Sequence, residues 1–160
     1  MTSFTQAGPM DNTKRQNFIK RFMEPMRRHA LSLNLCQALD SGNHPVRIAW
    51  GNGQFGFNGT IALDRSQAVG GNGSGSVIFI DQDAPDLRPF ETIKSYPDVG
   101  LFHELVHAFY IQRGAALNTE REMENLVIGI GDHSKCRLTE NAYRDARGLP
   151  PRCCWDREKL

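Results

Sequence analysis

The stretch PDVGLFHELVHAFYIQRG, residues 97–114, decides the fold of this 160-residue chain. A proline near its start and a glycine at its end typically bracket a helix, so the segment predicts a helix of about four turns. Apolar residues cover an arc of roughly 200° around that helix, counting 100° per residue. Such a helix must be packed on nearly every side, so we expect the rest of the chain to fold around it.

The helix contains the motif HELVH at residues 103–107. His103 and His107 lie one turn apart and about 40° apart around the axis, so both imidazoles can reach one ion with bonds of about 2.0–2.1 Å. Glu104 projects on the same side but not in line, which suits a carboxylate that holds a reacting water molecule. Two hydrogen-bonded histidines and a solvated glutamate are the alternative, which the apolar surroundings disfavour. We therefore predict zinc ligands at His103 and His107 and a catalytic base at Glu104.

A third ligand is expected on the next helix, which we predict over residues 120–128. Thr119 and Glu122 form a capping box, which gives Glu122 a structural explanation. Glu124 falls on the apolar face of the helix, where a carboxylate is costly unless it is paired or bound to a metal. We therefore prefer Glu124 as the third ligand. The alternatives are ligation by Glu120, Glu122, Asp132 or His133, and a buried ion pair of Glu124 with Arg144 or Arg137.

Two histidines and one glutamate leave the fourth position of a tetrahedral zinc site open to water. Zinc lowers the pKa of that water to about 7, and Glu104 can take its proton as the water attacks a carbonyl carbon. A tyrosine or an arginine often stabilises the oxyanion in such sites. Tyr143, Arg144 and Tyr110 are the candidates. The apolar position of Tyr110 favours a core role, and Tyr143 is kept as the catalytic candidate.

Composition excludes several other classes of protein. Lys and Arg number 19 against 18 Asp and Glu, for a formal charge of +1, which argues against binding driven by bulk charge to nucleic acid or a membrane surface. No apolar run approaches the roughly 20 residues that span a bilayer. The four cysteines are too few for a disulfide scaffold and lack paired zinc-ribbon spacing, so we expect free thiols. We expect a monomer with no nucleic-acid or membrane partner.

The remaining segments predict a single α+β domain over residues 14–160. Residues 1–13 have the composition of a mobile tail, which is also typical of non-cleaved bacterial injection signals. A helical stretch over residues 14–39 is interrupted at Pro25. Short strands are predicted over residues 46–50, 60–63 and 77–80, in a small glycine-rich sheet. The glycine-rich segments 51–56 and 70–75 are interpreted as hairpin loops, since neither leads into the helix that a phosphate-binding loop requires.

Segments that follow the motif are more distinctive than the motif itself. HELVHA at 103–108 is followed by Glu124, by Gly129, by LTEN at 138–141 and by GLPPR at 148–152. This pattern resembles the NleD-like zinc metallopeptidase effectors, which bacterial pathogens of animals and plants inject through type III secretion. The resemblance covers roughly residues 77–152.

The resemblance implies a compact zincin-like metallopeptidase domain, with zinc bound by His103, His107 and Glu124 and with Glu104 as the base. It also implies a protein substrate in the host cell cytoplasm, with mitogen-activated protein kinases as the animal targets of the family. Two other functions stay open: a polymorphic toxin peptidase of the same chemistry, and a non-catalytic binding module with structural zinc. The LTEN segment also has two interpretations, as the cap of a helix that ends at Gly148 or as support for the site by Glu140 or Asn141.

Overall fold

A small mixed sheet lies against the helix that contains the HELVH motif. The computed structural model describes residues 3–4, 12–51, 58–81 and 96–154. Strand β4 (Ser76–Asp81) runs parallel to β2 (Val46–Gly51) and antiparallel to β3 (Gly59–Ala62). The two-residue β1 (Ser3–Phe4) adds to the far side of β2, in parallel, for a sheet order of β1-β2-β4-β3. The α+β class is confirmed, and each of the three predicted strands begins and ends within one residue of its expected position.

Strands β2 and β4 are the two interior strands of the sheet, and both contribute buried apolar side chains. Ile78 and Ile80 are fully buried, and Val46 and Ile48 of β2 are buried on the same sheet. Arg47, between those two, is exposed, which is the alternation expected of a strand with one covered face. The sheet therefore presents an apolar face to the helices.

The N-terminal helical stretch is divided, as Pro25 predicts. Helix α1 (Asn12–Phe18) continues through a π-helical turn (Ile19–Met23) into the short α2 (Glu24–Met26), and α3 (Ala30–Asp40) begins after a break. Proline has no N–H with which to continue the helical hydrogen bonds, so an irregular turn is expected beside it. Phe18 and Phe22 stack at 4.8 Å between ring centroids and are both buried in the core.

The motif helix is α5 (Pro97–Gln112), and Gly114 follows it with φ +66°. Buried side chains occur all around it. It contacts α3, β3 and β4, and also the two later helices α6 (Glu120–Ile128) and α7 (Glu140–Ala146). Both its ends and its all-round packing are as predicted.

Two further helices bring their own N-terminal caps. Helix α6 (Glu120–Ile128) begins with the predicted capping box, in which Thr119 accepts from the Glu122 N–H at 3.2 Å and donates its hydroxyl to the Glu122 carboxylate at 2.6 Å. Helix α7 (Glu140–Ala146) is capped by Thr139, which accepts from the Ala142 N–H at 3.1 Å. Gly129, with φ +83°, ends α6 in the left-handed conformation.

The structure corrects the interpretation of the two glycine-rich segments. Strands β2 and β3 are separated by β4, so the segment 51–56 does not join neighbouring strands in a hairpin. Strands β3 and β4 are neighbours, but helix α4 (Arg65–Val69) lies between them in the chain, so the segment 70–75 is part of a longer connection. The hairpin predictions were wrong because glycine-rich composition marks a turn without saying which strands it joins.

Residues 52–57 lie outside the described part of the chain, as does most of the segment predicted as a mobile tail, of which Ser3–Phe4 is described as β1. The cysteines Cys36, Cys136, Cys153 and Cys154 are free thiols. Among the described helices, none is long and apolar enough to cross a membrane.

Substitution of Gly129 is expected to destabilise the fold more than substitution of Gly131. Both residues have positive φ, of +83° and +59°, so alanine at either costs about 1 kcal/mol of backbone strain. A Cβ on Gly129 would also lie 2.7 Å from the Thr139 Cβ, whereas a Cβ on Gly131 would meet nothing within 4 Å. We expect Gly129→Ala to lower the free energy of unfolding by about 2–4 kcal/mol and Gly131→Ala by about 1 kcal/mol, measured by urea denaturation. Equal losses would contradict the close packing of α6 on α7.

Candidate metal centre

Three side chains from two helices converge at the middle of α5. The Nε2 atoms of His103 and His107 are 3.1 Å apart. Glu124, from α6, places Oε2 3.3 Å from the His103 Nε2 and Oε1 3.0 Å from the His107 Nε2. The structure therefore brings together the three residues that the sequence analysis preferred as metal ligands, and they are a group that could hold a metal ion.

These side chains are close enough for one ion to bind all three. With bonds of about 2.0–2.1 Å, neighbouring ligand atoms of a tetrahedral site lie about 3.3–3.4 Å apart. The two imidazole nitrogens are 3.1 Å apart, and each lies 3.0–3.3 Å from one of the two Glu124 oxygens, so one ion could contact all three side chains. Two imidazole nitrogens and one carboxylate also form a donor set that suits a divalent transition metal.

Electrostatics hold the cluster together even without an ion. Burial lowers the pKa of His103, but the carboxylates of Glu124 and Glu140 outweigh that effect and raise the pKa to about 10. Burial likewise raises the pKa of Glu124, and the charges and hydrogen bonds of the two histidines outweigh it and bring the pKa well below its usual range. His103 and the two carboxylates therefore form an ion-paired cluster, in which a metal ion bound at Nε2 would take the place of a proton on His103.

The alternative ligands lie elsewhere on the molecule. Glu120, Glu122 and Asp132 are exposed, and Glu122 is engaged in its capping box. His133 ends a short 3-10 turn (Gly131–His133) beyond α6. Arg144, considered as an ion-pair partner of Glu124, donates instead to Glu140 at 2.6 Å.

Glu104 follows His103 in the chain and is oriented by the sheet. Its side chain is only 6% exposed, and its Oε2 accepts a hydrogen bond of 2.7 Å from the Thr60 hydroxyl on β3. Thr60 was missed by the sequence analysis. No local pattern could have revealed it, because the contact depends on how β3 packs against α5, 44 residues away in the chain.

Tyr143 is placed in the core and not with the triad. It is fully buried, stacks on Phe102 at 4.3 Å between ring centroids, and donates its hydroxyl to Asp98 at 2.8 Å. Burial, together with that hydrogen bond, raises the pKa of Tyr143 above its ordinary value. The placement gives Tyr143 a packing role and offers no support for its predicted part in stabilising an oxyanion. Tyr110 is half-buried against the core, as expected.

The sequence left two interpretations of the LTEN segment, as a helix cap or as support for the site, and the structure separates them by residue. Thr139 provides the cap of α7, whereas the Glu140 Oε2 lies 2.8 Å from the Nδ1 of His103. Burial raises the pKa of Glu140, but the hydrogen bond and charge of His103 and the nearby arginines outweigh it and lower the pKa to about 2. The carboxylate is therefore ionised and supports a candidate ligand. Asn141 instead hydrogen-bonds the backbone of Arg152.

Comparison of the sequence with protein-family models finds no family that matches, and comparison with curated proteins finds no match either.

Removal of either histidine should abolish metal retention. We expect the protein, loaded with a divalent transition metal and then gel-filtered, to keep about one ion per chain, and His103→Ala and His107→Ala to keep less than about a tenth of that. His133→Ala is the matched control and should retain the metal, because His133 lies outside the triad. Retention is measured by elemental mass spectrometry. Full retention by His103→Ala would show that the ion binds elsewhere.

Proposed function

We propose that the protein is a zinc-dependent endopeptidase. The observation that carries the proposal is the convergence of His103, His107 and Glu124 as a group that could hold one metal ion, with the buried Glu104 adjacent to His103 in the motif. Catalytic zinc sites typically have three protein ligands and an open position, whereas structural sites have four. Within the described residues the group has three members, which favours catalysis over a binding module with structural zinc.

His103, His107 and Glu124 would hold the zinc ion, which would polarise a carbonyl group and make a water molecule acidic enough to attack at neutral pH. Glu104 takes the proton from the attacking water and passes it to the nitrogen of the leaving amine. Thr60 holds Glu104 through Oε2, so we assign the proton transfer to Oε1. His103, His107 and Glu124 hold the ion in place while Glu104 moves the proton.

The position of β3 supports an extended peptide as the substrate. Among the described strands, β3 is at the edge of the sheet, and Thr60 in its middle contacts the proposed base. The backbone groups of an edge strand can pair with an added strand. A peptide bound in this way would pass next to Glu104, which is the position that peptide-bond hydrolysis requires.

The resemblance to NleD-like effectors supports a narrower proposal about biology. On that basis the protein is a monomeric type III effector that acts on a host signalling protein of the kinase type in the host cell cytoplasm. A polymorphic toxin peptidase would have the same site and chemistry, and it differs only in delivery and target.

Glu104→Gln should abolish hydrolysis without releasing the metal. Glutamine keeps the size of the side chain but cannot take up the proton, so we expect kcat/KM to fall by about 10²- to 10⁴-fold while zinc content stays unchanged. Cleavage is measured on a proteome-derived peptide library by mass spectrometry of new N-termini.

Glu122→Gln is the matched control for that experiment, because Glu122 is an exposed glutamate on α6 that contacts Thr119 and not the triad. It should cleave the same peptides as the wild type. If Glu104→Gln cleaves as well as Glu122→Gln, the proposed mechanism is wrong.

Thr60→Val should slow the reaction at an intact metal site. Loss of the hydroxyl removes a hydrogen bond to a buried carboxylate, so we expect kcat to fall about tenfold with zinc content unchanged. Thr60→Ser retains a hydroxyl and should recover most of the activity. A wild-type rate in Thr60→Val would show that the hydrogen bond does not orient Glu104 for catalysis.

A further inference from the structure

Two buried carboxylates join α5 to α7, and one of them contacts the metal centre. We propose that Glu140 is a positioning residue that sets the orientation and tautomer of His103, and that residues 149–154 take part by supplying Arg152 to the same carboxylate. The inference rests on the proposed zinc site, and it adds two residues and a segment outside the ligand set.

The contact between His103 and Glu140 determines which imidazole nitrogen is available to a metal. Glu140 is only 2% exposed, and its Oε2 lies 2.8 Å from the Nδ1 of His103. A buried carboxylate accepts hydrogen bonds, so Nδ1 carries a hydrogen and donates it. The Nε2, which faces His107 and Glu124, is then the nitrogen left to bind a metal ion.

Glu140 is itself held at both oxygens. Arg144, one turn further along α7, donates from Nε to Oε1 at 2.6 Å, and Arg152 donates from Nη1 to Oε2 at 3.3 Å. Hydrogen bonds to both oxygens fix the plane of the carboxylate, and the two guanidinium groups compensate its charge. The direction in which His103 points therefore depends on the two arginines.

Residues 149–154 form a strap that is docked on α7. Asn141 accepts from the Arg152 N–H at 2.7 Å and donates to the Arg152 carbonyl at 2.8 Å. The Leu149 N–H donates to the carbonyl of Arg144 at 2.8 Å. These bonds hold the strap at two points and direct the Arg152 side chain toward Glu140. Through Glu140, Arg152 of the strap is thus linked to the candidate ligand His103, which lies 49 positions earlier in the chain.

Asp98 provides an internal control for these contacts. It is also 2% exposed and also lies between α5 and α7. It is paired with Tyr143 of α7 and with Arg147, the residue that follows α7. Its partners do not include a member of the triad. Asp98→Asn therefore removes a comparable buried charge without altering the support of His103.

The experiment measures zinc affinity of the full chain by competition with a chromogenic chelator. We expect Glu140→Gln to weaken zinc binding about 10- to 100-fold and Asp98→Asn to change it by less than about twofold. Arg152→Gln should weaken it by a smaller factor than Glu140→Gln, because Arg144 still holds the carboxylate. Nitrogen NMR of labelled histidine in the zinc-loaded protein should show the Nδ1–H form of His103 in the wild type and lose that hydrogen-bonded signal in Glu140→Gln.

The proposal is overturned if Glu140→Gln binds zinc as tightly as the wild type, or if Asp98→Asn weakens binding equally, since that result would mean a purely structural effect. If Glu140→Gln does not fold, Arg152→Gln decides, and unchanged zinc affinity in that variant overturns the proposal. These measurements need no substrate. If the protein binds zinc through the triad but hydrolyses no peptide, the peptidase proposal is wrong, whereas the proposal that Glu140 positions His103 is unaffected.

Discussion

The buried imidazole of His103 is the point at which the three helices of the site meet. Its Nε2 faces His107 of α5 and Glu124 of α6, and its Nδ1 faces Glu140 of α7. Polar and charged groups with so little exposure are tolerated only when they are paired, so each of these contacts restricts where a helix can lie. The site and the arrangement of α5, α6 and α7 therefore depend on one another.

Apolar packing and close backbone approach keep that arrangement rigid. Helix α5 is buried on nearly every side, and Phe102, next to His103, stacks on Tyr143 of α7. Gly129 allows the end of α6 to approach the cap of α7 at Thr139. Asp98 joins α5 to α7 a second time through Tyr143 and Arg147. Two polar contacts along one helix pair leave little freedom for α7 to rotate.

The candidate base and the candidate ligands are held by different parts of the fold. Glu124 and Glu140 surround the imidazoles, whereas Glu104 is held by Thr60 on the sheet. Three glutamates thus differ in their candidate roles because their surroundings differ: Glu124 as a ligand, Glu140 as the support of a ligand and Glu104 as the base. A site built for metal storage or for structure has no evident need of a third carboxylate oriented by a separate strand, and this division supports the peptidase proposal.

The sequence alone predicted the strands β2, β3 and β4, the divided N-terminal helices, α5 and α6, and it predicted which residues of α5 and α6 would converge as candidate metal ligands. It did not predict β1 or α4. Helical periodicity, the Thr119 cap and the position of Glu124 on an apolar face all arise within a few neighbouring residues, so they can be predicted locally. Only the tertiary structure decided the sheet order, the core position of Tyr143, and the supporting roles of Thr60, Glu140 and Arg152. These depend on contacts between residues that lie 12 to 45 positions apart in the chain. A local pattern specifies which face of an element is apolar, but the partner that packs on that face is selected by the packing of the whole chain.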